Sequence, residues 1–305
     1  LTVMAMPAGH SVGGALWRIR KGGVEDIVYA ADFNHRREVH LDGAAFDLLS
    51  RPTLMIADAK GALAVAEGRK ERETMLLGVL KTALKSNGAV LVPVESACRA
   101  VELLVLLDKL IGDGGIAPQP SIAFMAPRAQ QTIDQAKGML EWMGGGMMRR
   151  FEETRENPLD LRHVRLCHGI GDVEALSGTQ KIVVASLESL SGGLSRELLL
   201  KWAANSNCLV LFPENPLPGS LGAQLLSNTS GSLEVAHKER VALEGAELLK
   251  FKREQRELQE QQQAEAAFAK LQRRRQRDEL GLEGGEDEDT DEEDVEEQDT
   301  AAAAP

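Results

Sequence analysis

Aromatic residues are scarce in this sequence. Seven Phe, three Trp and one Tyr amount to 4% of the 305 residues, so Ala, Gly and Leu must carry most of the packing. Hydrophobic residues still reach 43%, which is ample for a sizeable core. The length exceeds that of a typical single domain and predicts one or two domains with tails.

Long apolar runs are also missing. Lysines, other charged residues or glycines interrupt every apolar run well before the roughly 20 residues that a membrane-spanning helix needs. No charged and then apolar leader opens the chain, so we expect no signal peptide, no membrane contact and a soluble protein. Because Leu1 falls within a strand-like pattern, we also expect the sequence to be part of a longer polypeptide.

Cysteine is rare as well. Cys98, Cys167 and Cys208 each lie in or beside an apolar run, and none has a CxxC spacing. This pattern predicts three buried, reduced thiols rather than a metal or redox site. Reduced thiols fit a reducing compartment such as the cytosol or the nucleus.

Basic residues do not outnumber acidic ones: 35 Lys and Arg stand against 47 Asp and Glu, and the formal net charge is −12. Residues 283–299 contain twelve Asp and Glu but no Lys or Arg, and the remaining 35 acidic residues equal the 35 Lys plus Arg. We therefore predict a nearly neutral folded part and a disordered acidic tail over residues 281–305. Residues 238–280 are predicted to be a charged helical linker, a lone solvated helix whose apolar positions do not hold a heptad.

Between residues 62 and 237, continuous apolar runs alternate with helical patterns, which predicts an α/β domain with a mainly parallel sheet flanked by helices. The predicted strands are residues 89–94, 122–125, 164–167, 182–185 and 208–212. The predicted helices are residues 69–85, 129–143, 195–204 and 220–226, together with one that Ser96 would cap. The helix over 129–143 should end at the three glycines that follow it.

The first 61 residues contain short β-type stretches, and three of these deliver His10, Asp32 and Asp58 at a strand end or in a tight loop. Rigid strands fix such side chains while the loops leave them accessible, as catalytic and metal sites require. Imidazole and carboxylate groups suit zinc, and an Asp can bridge two metal ions. The alternative is a core histidine with two turn aspartates. Three ligands cannot complete two metal sites, so a complete site would need residues beyond this sequence.

A glycine turn that leads into a helix is the second candidate site. Ser191, Gly192, Gly193, Ser195 and Arg196 could hold a phosphate or an RNA backbone, because free N–H groups at a helix start attract anions and the arginine adds charge. The alternative is an ordinary helix start with Ser195 as its N-cap.

The segment Ala8-Gly9-His10-x-x-Gly13, followed about twenty residues on by an apolar strand and Asp32-Phe33, resembles the third and fourth motifs of the metallo-β-lactamase nucleases that carry an inserted β-CASP domain. An apolar strand that ends in Asp58 resembles the A motif of that family, and residues 191–202 resemble its Gly-Leu-Ser-Arg-Glu-Leu helix start. The resemblance implies that residues 1–61 are the C-terminal part of a metallo-β-lactamase αββα domain and that residues 62–237 are the β-CASP domain.

Two departures from the active nucleases stand out. Ala31 precedes Asp32 where the active relatives have Gly, and Ala59-Lys60-Gly61 follows Asp58 where they have Ser-Thr-Tyr-Gly. A buried lysine beside two metal cations would be repelled. The resemblance thus implies a non-catalytic homologue without a cofactor, in which His10, Asp32 and Asp58 are vestigial metal positions. The alternative is an active zinc-dependent RNA endonuclease in which His10 and Asp32 ligate zinc.

Residues 32–38, His40-Leu41 and the segment Leu166-Cys167-His168-Gly169 resemble the non-catalytic family member that acts in pre-mRNA 3′-end formation. This resemblance implies a scaffold or RNA-binding subunit whose partners are the homologous β-CASP endonuclease subunit, other cleavage and polyadenylation factors, and pre-mRNA. It implies a nuclear location, for which the arginine-rich residues 273–277 are a weak import signal. A further alternative is the homologous non-catalytic subunit of the Integrator complex.

Overall fold

The computed structural model describes residues 1–23, 25–59, 61–63, 65, 67–95, 97–228, 232–237 and 243–279. The chain divides into two compact units, Leu1–Leu233 and Glu234–Pro305. Lys60, Ser96 and the predicted acidic tail lie outside the described residues. The predicted domain bounds stay predictions.

The N-terminal part of the first unit is a four-stranded sheet. Its strands are β1 (Thr2–Pro7), β2 (Ala15–Lys21), β3 (Glu25–Ala30) and β4 (Leu54–Ala57), in that spatial order. β1 pairs with β2 and β2 with β3 in antiparallel fashion, whereas β3 and β4 are parallel. It follows that β1, β3 and β4 run in one direction and end at the same edge of the sheet.

One face of this sheet carries a small apolar core. The buried residues of that core are Ala8, Leu16, Val28, Ala30 and Ala44. Phe33 and Phe46, in the segment after β3, pack against this core and stack edge to face on each other, with their ring centroids 4.9 Å apart. The loop after β1, through Ala8, and the segment after β3, through its phenylalanines, are therefore anchored to the sheet by apolar contacts.

The second sheet has five strands and is parallel throughout. Its strands are β5 (Ala89–Pro93), β6 (Ser121–Met125), β7 (Val164–Cys167), β8 (Lys181–Ala185) and β9 (Cys208–Val210), in the spatial order β7-β6-β8-β5-β9. Every residue of β5, an inner strand that pairs with a neighbour on each side, is buried, as its unbroken apolar run predicts. This confirms the predicted α/β class.

The helices of the first unit alternate with these strands. They are α1 (Arg69–Lys85), α2 (Cys98–Gly112), α3 (Ala129–Gly138), α4 (Gly145–Thr154), α5 (Ile170–Ala175), α6 (Gly193–Trp202) and α7 (Leu221–Ser227). Helix α2 lies in the main core, with nine of its residues buried. The second unit contains α8 (Gly245–Glu279), which agrees with the predicted charged helix. None of the helices in the described ranges is both long enough and apolar enough to cross a membrane.

The three glycines after α3 begin a helix, contrary to the prediction that they end one. Helix α3 stops at Gly138, a short 3-10 turn follows over Leu140–Trp142, and α4 begins at Gly145. A Cβ on Gly144 would lie 2.9 Å from the backbone nitrogen of Asp42. Glycine is needed there because another segment approaches the backbone, and the helix can begin directly after it.

Helix α1 rests on the core through Leu80 and Leu84, whereas Met75 and Val79 are 58% and 37% exposed. One prediction about exposure, that of the cysteines, is corrected. All three cysteines are free as predicted, but only Cys167 is buried. The other two are half-buried because one opens α2 and the other begins the edge strand β9.

Candidate functional site

The shared edge of the first sheet brings two of the predicted site residues together. Asp32 follows β3 and Asp58 follows β4, and a carboxylate oxygen of Asp58 (Oδ2) accepts a hydrogen bond of 2.8 Å from the backbone N–H of Asp32. Asp32 has a left-handed backbone with φ 51°, a conformation that Asp tolerates better than most residues. The bond from Asp58 helps to hold this turn.

His10 lies in the loop after β1 and is half-buried. Its Nε2 is 3.2 Å from the Ser11 hydroxyl, and its Nδ1 is buried without a hydrogen-bond partner among the described residues. The ring faces Gly14, where a Cβ would lie 2.8 Å from the ring carbon Cε1. The pKa of the Cys98 thiol at the start of α2 is raised by burial, and the nearby Ser11 side chain partly offsets this. The loop of His10 thus lies between the sheet edge and α2.

The loops that carry His10 and Asp32 are bonded to each other. The N–H of Asn34 donates to the carbonyl of Ala8 at 2.9 Å, and the N–H of Ala44 donates to the carbonyl of Asn34 at 2.8 Å. A Cβ on Gly9 would lie 2.4 Å from the Asn34 oxygen and 2.6 Å from the Ala44 nitrogen. The glycine beside His10 therefore permits one backbone to lie directly on another.

Neither the vestigial role predicted for these three residues nor the alternative zinc role is tested by the groups that the structure places here. Over the residues that it describes, no group of three or more His, Cys, Asp and Glu side chains is arranged to hold a metal ion. Asp58 already bonds to a backbone amide through one carboxylate oxygen. A metal ion at this edge would need donors other than the described ones, and the roles of His10, Asp32 and Asp58 stay predictions.

In the second predicted site, the glycine turn before α6, the side chains of Ser195 and Arg196 bond to backbone carbonyls of the protein itself. Ser195 is fully buried within α6, and its hydroxyl donates to the carbonyl of Leu187 at 2.6 Å. The Arg196 guanidinium donates to the carbonyl of Leu190 at 3.3 Å. The residue that caps α6 is Gly192, so the alternative with Ser195 as N-cap is wrong. Phosphate or RNA binding by this turn stays a prediction.

A buried carboxylate on α2, that of Glu102, is not among the residues predicted from the sequence. One oxygen of Glu102 accepts the N–H of Val39 at 2.7 Å, and the other accepts the N–H of His40 at 3.0 Å and its ring Nδ1 at 2.5 Å. Glu102 is 5% exposed and His40 is 2% exposed. We call these contacts the joint, because they connect the segment after β3 to the helix that follows β5.

A second charged group extends the joint along α2. The buried Glu38 carboxylate accepts a hydrogen bond from the side chain of Asn34 at 3.1 Å and lies 3.4 Å from the Arg99 guanidinium. Arg99 also pairs with Glu214 at 2.9 Å. Arg99 and Glu102 are three residues apart on one helix face, so they contact the same segment.

Helix α4 holds the other end of that segment. The N–H of Gly144 donates to the carbonyl of His40 at 2.9 Å, and the N–H of Gly145 donates to the Asp42 carboxylate at 2.9 Å. Arg37 pairs with the same carboxylate at 3.0 Å. The acidic side chain of Asp42 thus accepts a hydrogen bond from the first N–H group of α4, where the helix dipole favours negative charge.

The electrostatics of the joint favour an ionised Glu102. Burial alone would raise the pKa of this carboxyl group. The hydrogen bond and charge of His40, together with the two backbone N–H groups, outweigh burial and hold the pKa of Glu102 below its ordinary value. An ionised carboxylate with three donors is well satisfied in the core. The one signal in the sequence was a lone acidic residue inside the apolar run of α2.

Comparison with known proteins identifies both parts of the fold. A metallo-beta-lactamase superfamily domain matches residues 1–56, and a Beta-Casp domain matches residues 100–225. The probable cleavage and polyadenylation specificity factor subunit 2 of Drosophila melanogaster is 37% identical over 261 residues, which cover 84% of this chain and 34% of the relative. The chain is a homologue of cleavage and polyadenylation specificity factor subunit 2.

Two other relatives frame this homology. Subunit 2 of Arabidopsis thaliana is 38% identical over 253 residues, covering 82% of this chain and 34% of the relative. An endoribonuclease of Yarrowia lipolytica is 25% identical over 223 residues, which cover 73% of this chain and 26% of the relative. The subunit 2 homologue spans about a third of the length of the curated relatives it matches.

Proposed function

We propose that this chain is part of a non-catalytic subunit of the pre-mRNA 3′-end cleavage and polyadenylation machinery. In this role it serves as a scaffold, contacts RNA and pairs with the homologous β-CASP endonuclease subunit in the nucleus. The subunit 2 relatives support this role, since they match more than four fifths of the chain at 37–38% identity, against 25% for the endoribonuclease.

The hydrogen bond from the Asp32 amide to Asp58 is the observation that carries the non-catalytic assignment. This bond gives one oxygen of the Asp58 carboxylate a structural role in its own sheet, which supports the proposal. Ala31 and Ala59 stand beside these aspartates at positions where the resemblance to active nucleases fails. The two carboxylates and His10 together do not make a donor set for a metal ion within the described residues. We therefore propose that the three positions are inherited without full metal occupancy.

An active zinc-dependent RNA endonuclease is the competing function. The buried Nδ1 of His10, which has no hydrogen-bond partner in the described part of the chain, favours it, because an imidazole nitrogen in that state can accept a further ligand. Elemental analysis of the purified full-length protein separates the two functions. We expect zinc well below one equivalent, and zinc near one equivalent would favour the nuclease.

The cleavage assay uses the full-length protein in its purified complex with a pre-mRNA substrate. If the subunit is non-catalytic, Asp32→Ala leaves the cleavage rate unchanged, as does the control Asp47→Ala, which alters another exposed aspartate between β3 and β4. Loss of cleavage with Asp32→Ala alone, at an unchanged level of assembled complex, would contradict the proposal.

The identity of the complex is tested by affinity purification of the full-length protein from nuclear extract. We expect cleavage and polyadenylation factors, including the homologous endonuclease subunit, to be recovered by mass spectrometry. Recovery of Integrator subunits instead would assign the chain to the homologous non-catalytic subunit of that complex.

A further inference from the structure

We propose that the contacts of Glu102 with His40 in the joint act as a latch. Through this latch, α2 holds the loop after β3 and thereby positions the sheet edge at Asp32. Neither the resemblance nor the comparisons give these two residues a role. The latch concerns how the edge is built, so it stands or falls independently of the proposed function. Glu102 acts here as a positioning residue for a segment 62 residues away in the chain.

The segment that the latch holds has little regular structure of its own. Between the end of β3 at Ala30 and the start of β4 at Leu54, the chain contains a single short 3-10 turn, at Phe46–Leu48. Backbone N–H groups in such a segment must find partners outside a helix or sheet. Two of them, from Val39 and His40, bond to the carboxylate of Glu102. The position of the segment therefore depends on that side chain.

Glu102 is the hydrogen-bond partner that the described residues offer to the buried His40 ring. Nδ1 bonds to Glu102 at 2.5 Å, whereas Nε2 is buried with no hydrogen-bond partner among the described residues. A buried imidazole without its carboxylate would leave both nitrogens unsatisfied, which is costly in the core. Loss of the carboxylate should thus release the ring and its backbone together.

A second contact fixes the register of the segment on α2. Arg99 contacts Glu38 at 3.4 Å while Glu102 contacts His40, so a cation and an anion on one helix face meet residues two apart in the segment. The Nη1 of Arg69 also donates to the Glu38 carbonyl at 3.2 Å. Because Arg99 is positive and Glu102 is negative, shifting the segment along α2 would bring Glu38 toward a like charge, so these two contacts favour the observed register.

The contacts continue from the joint to the sheet edge. Glu38 accepts the side-chain N–H of Asn34, and the backbone N–H of Asn34 donates to the carbonyl of Ala8. Asn34 is two residues after Asp32, whose own N–H bonds to Asp58. An unbroken series of hydrogen bonds and backbone therefore links α2 to the turn that carries the two aspartates.

Hydrogen exchange measured by mass spectrometry on the whole chain tests the latch. In Glu102→Gln, which keeps the shape of the side chain but removes its charge, we expect amides of residues 32–44 to exchange at least about tenfold faster. Amides of the inner strands β5 and β8 of the second sheet should keep their wild-type rates. The control Glu152→Gln changes an exposed glutamate on α4 and should leave both regions unchanged.

Three outcomes would overturn the latch. They are unchanged exchange over residues 32–44 in Glu102→Gln, an equal rise over both sheets, and an equal rise over residues 32–44 when the wild-type chain is treated with a chelator alone. The last would show that a metal ion holds the edge. If Glu102→Gln does not fold, His40→Phe serves instead, because it removes the ring bond and leaves α2 intact. It should open the same residues by a smaller factor.

Discussion

Replacing Gly9 by Ala tests whether the loops after β1 and β3 are packed backbone on backbone. Gly9 has φ +74°, and a Cβ there would lie 2.4 Å from the Asn34 oxygen and 2.6 Å from the Ala44 nitrogen. Both neighbours are backbone atoms that bond to each other, so neither can move cheaply. The new methyl group must therefore separate the two loops or break their hydrogen bonds.

The matched control lies four residues away in the same loop. Gly13 has φ +79°, and no atom lies within 4 Å of the Cβ that Gly13→Ala would add. Both substitutions cost about 1–2 kcal/mol for a left-handed alanine, and both gain the same small benefit from a stiffer unfolded chain. Only Gly9→Ala adds overpacking, which costs about 1–3 kcal/mol in tight sites. The difference between the two variants isolates the clash.

Urea unfolding followed by the fluorescence of Trp17, in a background with Trp142→Phe and Trp202→Phe, reports on the first sheet. We expect Gly13→Ala to lower the free energy of unfolding by about 1 kcal/mol and Gly9→Ala to lower it by about 2–4 kcal/mol. The first sheet should melt early in the second variant. Equal losses in the two variants, within about 0.5 kcal/mol, would refute the close approach of the loops at Gly9.

Three further predictions concern the joint and the core. Glu102→Ala should lower the free energy of unfolding in urea by about 3–5 kcal/mol, because it leaves buried donors unpaired, whereas the exposed Glu152→Ala should change it by less than about 0.5 kcal/mol. Because the pKa of Glu102 is held below its ordinary value of 4.5, its stabilisation is complete above that pH and is lost as pH falls through the folded pKa. Stability measured from pH 6 down to 3 should therefore fall less steeply in Glu102→Gln than in wild type. Phe124→Ala, in the fully buried centre of β6, should cost about 3–5 kcal/mol in urea unfolding, whereas Met75→Ala on the exposed side of α1 should cost under about 1 kcal/mol; similar losses would contradict the placement of α1.

The parts of the fold that the sequence predicted well depend on local pattern. The helix Arg69–Lys85 and the strand Val164–Cys167 have the predicted bounds, because charge spacing and continuous apolar runs are properties of neighbouring residues. The prediction for the start of α4 is wrong because the backbone at Gly144 is in close contact with Asp42, about a hundred residues earlier in the chain. A local pattern carries no trace of such an approach.

The joint is a second contact between distant segments that a local sequence pattern does not predict. His40 belongs to a motif that carries the resemblance, whereas its partner Glu102 lies inside the apolar helical run that follows Ser96. Pairing them requires knowing that the segment after β3 crosses the start of α2. A single acidic residue among buried leucines is nonetheless a usable signal, because an unpaired charge in a core is too costly to keep.

The meeting of Asp32 and Asp58 is a product of strand register. β3 and β4 are parallel with Ala30 opposite Ala57, so Asp58 is one residue past this pair and Asp32 is two residues past it. The N–H of Asp58 continues the ladder to the Ala30 carbonyl at 3.4 Å, which directs its carboxylate to the next free N–H, that of Asp32. A slip of one residue would turn β4 over and move the carboxylate to the other face of the sheet. The aspartate pair therefore depends on the pairing of β3 with β4, and a change that alters this register should separate the pair even if both aspartates remain.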